Sequence, residues 1–437
     1  MIRYYEHGDV YNMTKAQRIQ DIYAAFEPYP LDNPREIQDF FVETYDARGK
    51  NVVKLMSLTL QISRNPYMKM LFMGHRGSGK STELSLLKKQ MEGQFDIISF
   101  HIYNEVDTGN MTYIDFIFAI MAQIIKYVEK KPEIGLDESD IDELYQYWYG
   151  EKIIEKSEMD YGEASASFDA KLSFLKKIAV KGSGILKTGK ESKVSIRRKI
   201  EPKTGQLILM MNQLIQKINS KLTNKGLLLV IEDLDKISLD TAESLFITYR
   251  KIWLELHVRM ILTFPIFMAY NSQYNMINED IDKAVMLSMI KVKKADKTDY
   301  EQGIATLSKI VEKRAELSLI DDDALHFMIK KSGGAIRDLF EMIQDASFES
   351  MLIEKDKIEM SEAKSAYYQL KSRNERLIRN DSEVEKLVQV YRDPQLLTTD
   401  DTMMELLLKG LILEYNGERW CGIHPAVEDF LKEKGKI

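Results

Sequence analysis

Cysteine is almost absent from this chain of 437 residues, in which Cys421 is the only one. A single cysteine excludes an internal disulfide and is typical of a reducing compartment, so we expect a cytoplasmic location. The six histidines are scattered without the spacing of metal ligands. Positive charge is not in excess either, because the net charge is −7. This balance excludes a uniformly basic nucleic-acid coat, although it leaves room for a local basic patch.

The sequence also lacks a convincing membrane segment. Its longest uncharged stretch, residues 260–278, is interrupted by Pro265 and ends in a part rich in Asn, Gln and Ser. We interpret this stretch as a buried strand followed by a loop. The first residues lack the apolar core of a signal peptide. With 44% hydrophobic and 30% charged residues, the composition is typical of a soluble protein of two or three domains, and we expect no membrane partner.

Short apolar runs alternate with helical patterns through the first two thirds of the chain. This alternation predicts an α/β fold of the P-loop NTPase class, with a mostly parallel sheet and helices on both faces. The predicted strands are 68–73, 96–103, 227–231, 259–263 and 286–292, and the clearest predicted helices are 83–91 and 204–223.

Changes in pattern divide the chain into four predicted segments. Residues 1–66 form an N-terminal helical segment, and residues 67–298 form the α/β domain. Residues 299–379 are helical throughout and are expected to form a lid domain. Residues 380–437 contain a helix, a strand, an Asn-Gly turn, a second strand and a last helix. This order predicts a small winged-helix domain.

A charged insertion, residues 133–203, interrupts the α/β pattern. Its part 133–169 is acidic, whereas 171–203 carries eleven Lys and Arg against two Glu. The basic part is read in three ways: a solvated hairpin or linker that pairs with the acidic part, a nucleic-acid backbone site, or a surface for an effector protein. Phe174 is its only aromatic residue, which disfavours base stacking. We expect recognition to use surface cations, namely Lys193, Arg197, Arg198 and Lys199.

The sequence GHRGSGKS follows the first predicted strand and precedes a helix, as a P-loop does. Its glycines let backbone N–H groups surround phosphates, and the helix N-terminus adds partial positive charge. Lys80 should reach the β- and γ-phosphates, while Ser81 should ligate Mg²⁺. Chance gives about 0.01 such matches in this length, so a coincidental glycine-rich turn is disfavoured. The predicted ATP-binding residues, with GTP left open, are Gly74, His75, Arg76, Gly77, Ser78, Gly79, Lys80, Ser81 and Thr82.

An apolar strand that ends in acids, LLLVIEDLD at 227–235, supplies the second part of such a site. Carboxylates at this place hold Mg²⁺ and orient the attacking water. Glu232 stands where most such sites have Asp, so either Glu232 or Asp233 can be the magnesium-side acid. We therefore predict slow hydrolysis, with both residues as candidate metal ligands and catalytic groups.

Two polar residues farther along the chain are further candidates. Thr263 ends the fourth predicted strand, where its hydroxyl can sense the γ-phosphate or merely cap a turn. Arg337 follows a Gly-Gly pair at the start of a helix in the helical domain, and the alternative is an ordinary surface arginine.

Taken together, the P-loop, IEDLD, ILTFP, GGAIRDL and the terminal winged helix resemble the AAA+/STAND-type P-loop ATPases. The nearest in layout are origin-recognition-like ATPases and bacterial ATPases of mobile-element and antiphage systems. The resemblance covers about residues 35–104 and 204–437, and it implies sensor roles for Thr263 and Arg337. Glu232 and the insertion depart from the family pattern. No arginine is assigned as a finger, and Arg250 and Arg259 are candidates.

The resemblance implies an ATP-driven molecular switch, in which nucleotide closes the helical lid over the P-loop. Its expected partners are a protein effector or further copies of the chain, in a bacterial defence or mobile-element setting. One alternative is an ATP-dependent initiator or transposition regulator that binds duplex DNA. The other is a scaffold that binds nucleotide without turnover.

Overall fold

A computed structural model describes residues 13–151, 167–188, 190–395, 398–415 and 420–437. The strands are β1 (Lys69–Gly74), β2 (Asp96–His101), β3 (Leu227–Glu232), β4 (Arg259–Phe264), β5 (Lys283–Leu287), β6 (Ile412–Tyr415) and β7 (Trp420–Ile423). The first eleven helices are α1 (Ile19–Ala25), α2 (Pro34–Phe40), α3 (Tyr45–Arg48), α4 (Val52–Ile62), α5 (Lys80–Met91), α6 (Ile102–Glu105), α7 (Tyr113–Lys130), α8 (Glu138–Glu151), α9 (Phe168–Thr188), α10 (Lys190–Ile200) and α11 (Thr204–Lys221). The remaining helices are α12 (Leu239–Glu243), α13 (Arg250–Leu254), α14 (Tyr274–Asp280), α15 (Glu301–Arg314), α16 (Asp322–Lys331), α17 (Ile336–Leu352), α18 (Met360–Glu375), α19 (Asp381–Arg392), α20 (Asp401–Lys409) and α21 (Pro425–Glu433).

The first five strands form a parallel sheet in the order β2-β3-β4-β1-β5. Every residue of β1 and β3 is buried, so both faces of the sheet are covered. Continuous apolar strands are what a doubly covered parallel sheet requires. The predicted α/β fold class is therefore confirmed, together with the helical domain and the small C-terminal domain that follow it. Among the described residues, no helix is long and apolar enough to cross a membrane.

Four of the five predicted strands agree with the structure to within two residues, but the fifth was misplaced. The prediction was 286–292, whereas β5 is Lys283–Leu287. The apolar run continues beyond the strand because Met289, Ile290 and Val292 are buried in other cores. The loop predicted after β4 was also wrong, since Ile266–Tyr270 is a 3₁₀ helix and α14 follows it. An apolar run reports burial, and burial alone does not fix strand pairing.

The described residues form two compact units. Unit 1 comprises Met1–Val53, His75–Leu86 and Leu287–Ile437, and unit 2 comprises Lys54–Gly74 and Leu87–Met286. The four segments inferred from sequence remain a prediction.

Unit 1 combines the first helices with the helical and C-terminal segments. Its main core joins α1 to α15–α18, and the rings of Phe26 and Phe340 meet edge to face there at 5.2 Å. The C-terminal segment shows the predicted order of helix, strand, strand and helix. Asp400 caps α20 through the amide of Met403, and Gly410 ends that helix in the left-handed conformation. The predicted Asn416-Gly417 turn lies outside the described residues.

Within unit 2, the described residues of the charged insertion are mainly helical and pack against the rest of the unit, so its interpretation as a solvated linker was wrong. Helix α9 packs against α7 and α8. Lys171 donates hydrogen bonds to Glu138 and Asp142, each at 2.7 Å, so the basic part does pair with the acidic part as expected. Phe174 is buried and its ring meets that of Tyr145 edge to face.

The four cations expected at the surface of the insertion divide into two pairs. Arg198 and Lys199 are exposed, as predicted. For Lys193 and Arg197 the prediction was wrong. Lys193 is only 5% exposed and pairs with Asp107 at 3.4 Å. Arg197 pairs with the fully buried Asp115, to which its Nε donates at 3.1 Å.

The pair between Arg197 and Asp115 yields a stability prediction. Truncation of one partner of a buried ion pair leaves the other charge uncompensated, which costs about 3 kcal/mol. We therefore expect Arg197→Ala to lower the free energy of unfolding by about that amount in urea titrations. The neighbouring Arg198→Ala removes the same charge from the exposed side of α10 and should change it by about 0.5 kcal/mol or less. Equal effects of the two substitutions would contradict the structural role of the pair.

Candidate functional site

The predicted P-loop connects β1 directly to α5. Gly77 and Gly79 have φ angles of 80° and 98°, in the left-handed region that residues with a side chain rarely adopt. Lys80 is the first residue of α5, a helix of 12 residues. The loop therefore brings its backbone amides to the N-terminus of a helix, where partial positive charge favours anions.

Side chains of unit 1 hold this loop in place. Lys80 Nζ donates to the carbonyl oxygen of His75 at 2.9 Å. Arg48, which is 2% exposed, donates to the carbonyl of Ser78 at 2.6 Å and also to that of Ser288. Burial lowers the pKa of Arg48 to about 10, against the opposing charges of Glu83 and Tyr45, so the guanidinium stays charged. No motif surrounds Arg48 in the sequence, so it was not identified there.

The remaining loop residues differ in their surroundings. Arg76 is exposed, and Ser81 is half-buried in the first turn of α5. The hydroxyl of Thr82 accepts a hydrogen bond from the amide of Leu31 at 3.2 Å, so its side chain supports the N-terminal segment. The carboxyl of Glu83 is buried, which raises its pKa to about 7, although the charge of Arg48 opposes the shift.

Arg337 lies against the P-loop within unit 1. A Cβ placed on Gly77 would be 2.9 Å from the Cβ of Arg337. The preceding Gly333 and Gly334 have φ angles of 60° and 86°, and a Cβ on Gly334 would be 1.7 Å from the carbonyl oxygen of Ile290. Only glycine fits this turn, which starts α17 and fixes where Arg337 lies.

In unit 2, the predicted acids follow the buried strand β3. Glu232 Oε1 accepts from Lys88 at 3.1 Å, while its Oε2 is buried with no hydrogen-bond partner among the described residues. Asp233 has a φ angle of 71°, which is strained for a residue with a side chain. Its Oδ2 pairs with His101 Nδ1 at 2.9 Å and its Oδ1 with Lys236. The two acids therefore have different environments.

The electrostatics of Asp233 and His101 are linked. Burial alone would raise the pKa of Asp233, but the hydrogen bond from His101 and the charge of Lys236 lower it well below its ordinary value. Burial lowers the pKa of His101, and the hydrogen bond to Asp233 together with the charges of both acids raises it above its ordinary value. His101 was not identified from the sequence, where its position near the end of the predicted strand 96–103 was the only signal.

Three other candidates are engaged within unit 2. The hydroxyl of Thr263 accepts from the amide of Leu234 at 3.0 Å, which fits the alternative that it supports a turn. Arg250 donates to Asp280 at 2.6 Å. Arg259 donates to the carbonyl of Lys225, and its guanidinium lies over the ring of Phe95.

The structure thus collects the candidates into two sets. Unit 1 holds His75 to Thr82 together with Arg337. In unit 2 the parallel strands place Gly74, Glu232 and Thr263 at the carboxyl edge of one sheet. Among the described residues, no group of three or more His, Cys, Asp and Glu is arranged to hold a metal ion. Mg²⁺ is ordinarily held by one or two protein ligands together with phosphates and water.

Comparison with known proteins reveals similarity only at the level of structure. No protein-family model matches the chain, and no curated protein matches it significantly. The Walker-type ATPase of Pyrococcus abyssi is similar at 12% identity and a TM-score of 0.46, over 93% of this chain and 99% of that one. The Aeropyrum pernix ORC2 protein in its ADPNP-ADP complexes gives 10% identity and a TM-score of 0.42, over 94% and 98%. Cdc6p of Pyrobaculum aerophilum has 11% identity and a TM-score of 0.39, and the match covers 94% of this chain and 98% of that one.

The close approach of Gly77 to Arg337 generates a prediction. Gly77→Ala should destabilise the protein because it combines a left-handed backbone with a clash against Arg337. Gly93→Ala is a matched control, because Gly93 has a φ angle of 78° and open space around it. We expect about 1 to 2 kcal/mol of backbone cost in both variants and at least about 1 kcal/mol more in Gly77→Ala, as measured by urea denaturation. Equal losses of unfolding free energy in the two variants would show that the contact between α17 and the loop does not restrict residue 77.

Proposed function

We propose that this chain binds ATP-Mg²⁺ and hydrolyses it slowly, as an origin-recognition-like P-loop ATPase. The observation that carries the proposal is the loop between β1 and α5, with two left-handed glycines before the N-terminus of a helix. A loop of this conformation presents backbone amides to phosphates, and Lys80 adds a point charge. The identity of the base, adenine rather than guanine, follows from the family resemblance.

The acidic strand end fits a magnesium ion and an attacking water. We propose Glu232 as the magnesium-side acid, with Ser81 as the P-loop ligand, because Glu232 Oε2 is a buried oxygen without a partner among the described residues. When bound, Mg²⁺ would neutralise charge on the phosphates. Asp233 is engaged by His101 and Lys236, so its part is to orient water or to organise the turn. Thr263 supports the same turn through Leu234.

Slow turnover and a nucleotide-dependent lid together make a switch. We propose that Arg337 contacts the phosphates from the helical domain, since its helix begins against Gly77. Nucleotide then stabilises one arrangement of α17, and hydrolysis releases it. A switch requires contacts that differ between the nucleotide-bound state and the state after hydrolysis, and it does not require fast hydrolysis.

The partner that this switch controls is proposed to be a protein effector or further copies of the chain. In the insertion, Lys171, Lys193 and Arg197 are already paired with carboxylates. The second helix of the C-terminal segment, α20, buries Met403, Met404, Leu406 and Leu407 and has no basic face. Both features disfavour a duplex-DNA initiator. DNA binding that weakens steeply with salt would favour that alternative instead. The family resemblance favours a bacterial defence or mobile-element setting.

Lys80 provides the direct test of nucleotide binding. Lys80→Ala removes a preorganised charge from the phosphate site, so we expect ATP turnover to fall by at least about 100-fold. Lys89→Ala, on the exposed side of the same helix, should leave turnover unchanged. The measurement is ATP affinity by equilibrium titration and phosphate release at saturating ATP. Normal affinity and turnover in Lys80→Ala would refute the proposal, and tight ATP binding without any phosphate release in the unmodified protein would favour a scaffold.

The acidic pair provides a separate test of hydrolysis. Asp233→Asn keeps a residue that tolerates the left-handed backbone and removes only the charge. We expect it to bind ATP normally and to release phosphate at least about tenfold more slowly, and Glu232→Gln should in addition raise the Mg²⁺ concentration needed for half-maximal turnover. Unchanged phosphate release in both variants would exclude this strand end from the reaction.

A further inference from the structure

The C-terminal hairpin is joined to the P-loop by a buried hydrogen bond inside unit 1. The backbone N–H of Glu414, in β6, donates to Nε2 of His75 at 2.7 Å. His75 is 2% exposed and Glu414 is 6% exposed, so water does not replace this contact. The carbonyl of Glu414 in turn accepts from the amide of Met289 at 3.3 Å. Both the N–H and the C=O of this one residue of β6 are thereby hydrogen-bonded to other parts of unit 1.

The chemistry of His75 suits a permanent acceptor. Burial, assisted by the charge of Lys80, lowers the pKa of His75 to about 3, so the ring is neutral at ordinary pH. A neutral imidazole with an accepting Nε2 carries its proton on Nδ1. Loss of this acceptor would leave a buried backbone N–H unpaired, which is unfavourable. The hairpin and the loop therefore constrain one another.

His75 also connects the hairpin to the residue that would bind phosphate. Its side chain accepts from β6, while its own carbonyl accepts from Lys80 Nζ at 2.9 Å. Movement of Lys80 or of the loop backbone would therefore move His75 as well. Because the imidazole is buried and bonded to Glu414, movement of His75 would in turn displace the hairpin.

A second set of contacts connects the same hairpin to the turn before α17. The hydroxyl of Tyr415 donates to the carbonyl of Gly333 at 2.7 Å. Leu413 packs so closely there that a Cβ on Gly333 would be 3.0 Å from its Cδ1. The side chains that form this small core are Met289, Ala335, Leu413, Tyr415 and Trp420. The hairpin thus contacts the P-loop and the start of the helix that carries Arg337.

We propose that the C-terminal hairpin regulates the nucleotide site through His75, so that hairpin docking and nucleotide binding favour each other. This inference rests on the proposed nucleotide binding and adds the route of its regulation. The docked hairpin holds His75, and with it the loop that surrounds the phosphates. Coupling of two binding events is reciprocal, so nucleotide must stabilise the docked hairpin by the same factor. A partner that pulls the C-terminal segment away lowers nucleotide affinity.

Amide hydrogen exchange at Glu414 in the full chain, with and without ADP, tests the coupling. In the unmodified protein we expect saturating ADP to slow exchange of this amide by about threefold to tenfold, the range that one hydrogen bond supports. His75→Gln places an oxygen near the position of Nε2 and should keep the response. His75→Leu has no acceptor, so it should lose the response and bind ADP about threefold to tenfold more weakly. His326→Leu, an exposed histidine in the same unit, controls for loss of a histidine.

The outcomes separate this inference from the proposed function. If the unmodified protein binds ADP and exchange at Glu414 does not change, the coupling is refuted while nucleotide binding stands. A full response in His75→Leu would equally refute the role of His75. If the unmodified protein binds no ADP, both proposals fail together. Should His75→Leu not fold, the unmodified protein and His75→Gln still decide the matter.

Discussion

The conformation of Gly77 is the constraint that connects the loop after β1 with the start of α17 in unit 1. Its backbone is left-handed, and the Cβ of Arg337 occupies the space that a side chain would need. The loop can therefore turn from β1 into α5 only with glycine at this position. The same absence of a side chain lets α17 begin directly against the loop. A single residue thus serves both the turn between β1 and α5 and the start of α17.

The acidic strand end shows how two adjacent carboxylates acquire different properties. Glu232 continues β3 and keeps one buried oxygen without a partner among the described residues. Asp233 leaves the strand in a strained conformation and is held by His101 and Lys236. Strain of this kind persists only where surrounding contacts enforce it, and it is concentrated at functional sites. The turn at Asp233 ends the strand, and the two side chains therefore have different neighbours.

Part of the positive charge in the insertion is neutralised within the fold. The basic part forms helices whose Lys171, Lys193 and Arg197 face carboxylates of unit 2. The buried pair of Arg197 and Asp115 holds one arrangement in place, although such a pair adds little net stability over apolar contacts. Arg198 on α10 and Lys177 on α9 are among the described cations of the insertion that stay exposed. The number of Lys and Arg residues in a segment therefore exceeds the positive charge that is exposed at its surface.

Sequence alone determined the parallel sheet, the P-loop, the acidic strand end and the order of the C-terminal elements. These features depend on local rules: apolar runs between turns, glycines where φ is positive, and acids at a strand end. The position of β5 was predicted wrongly from the sequence. An apolar run indicates that its residues are buried, but it does not show which strand or core they pack against. The roles of Arg48, His101 and His75 were decided by tertiary structure. Each of them acts through a residue far away in the chain, and a contact between distant segments leaves no periodic trace in either one.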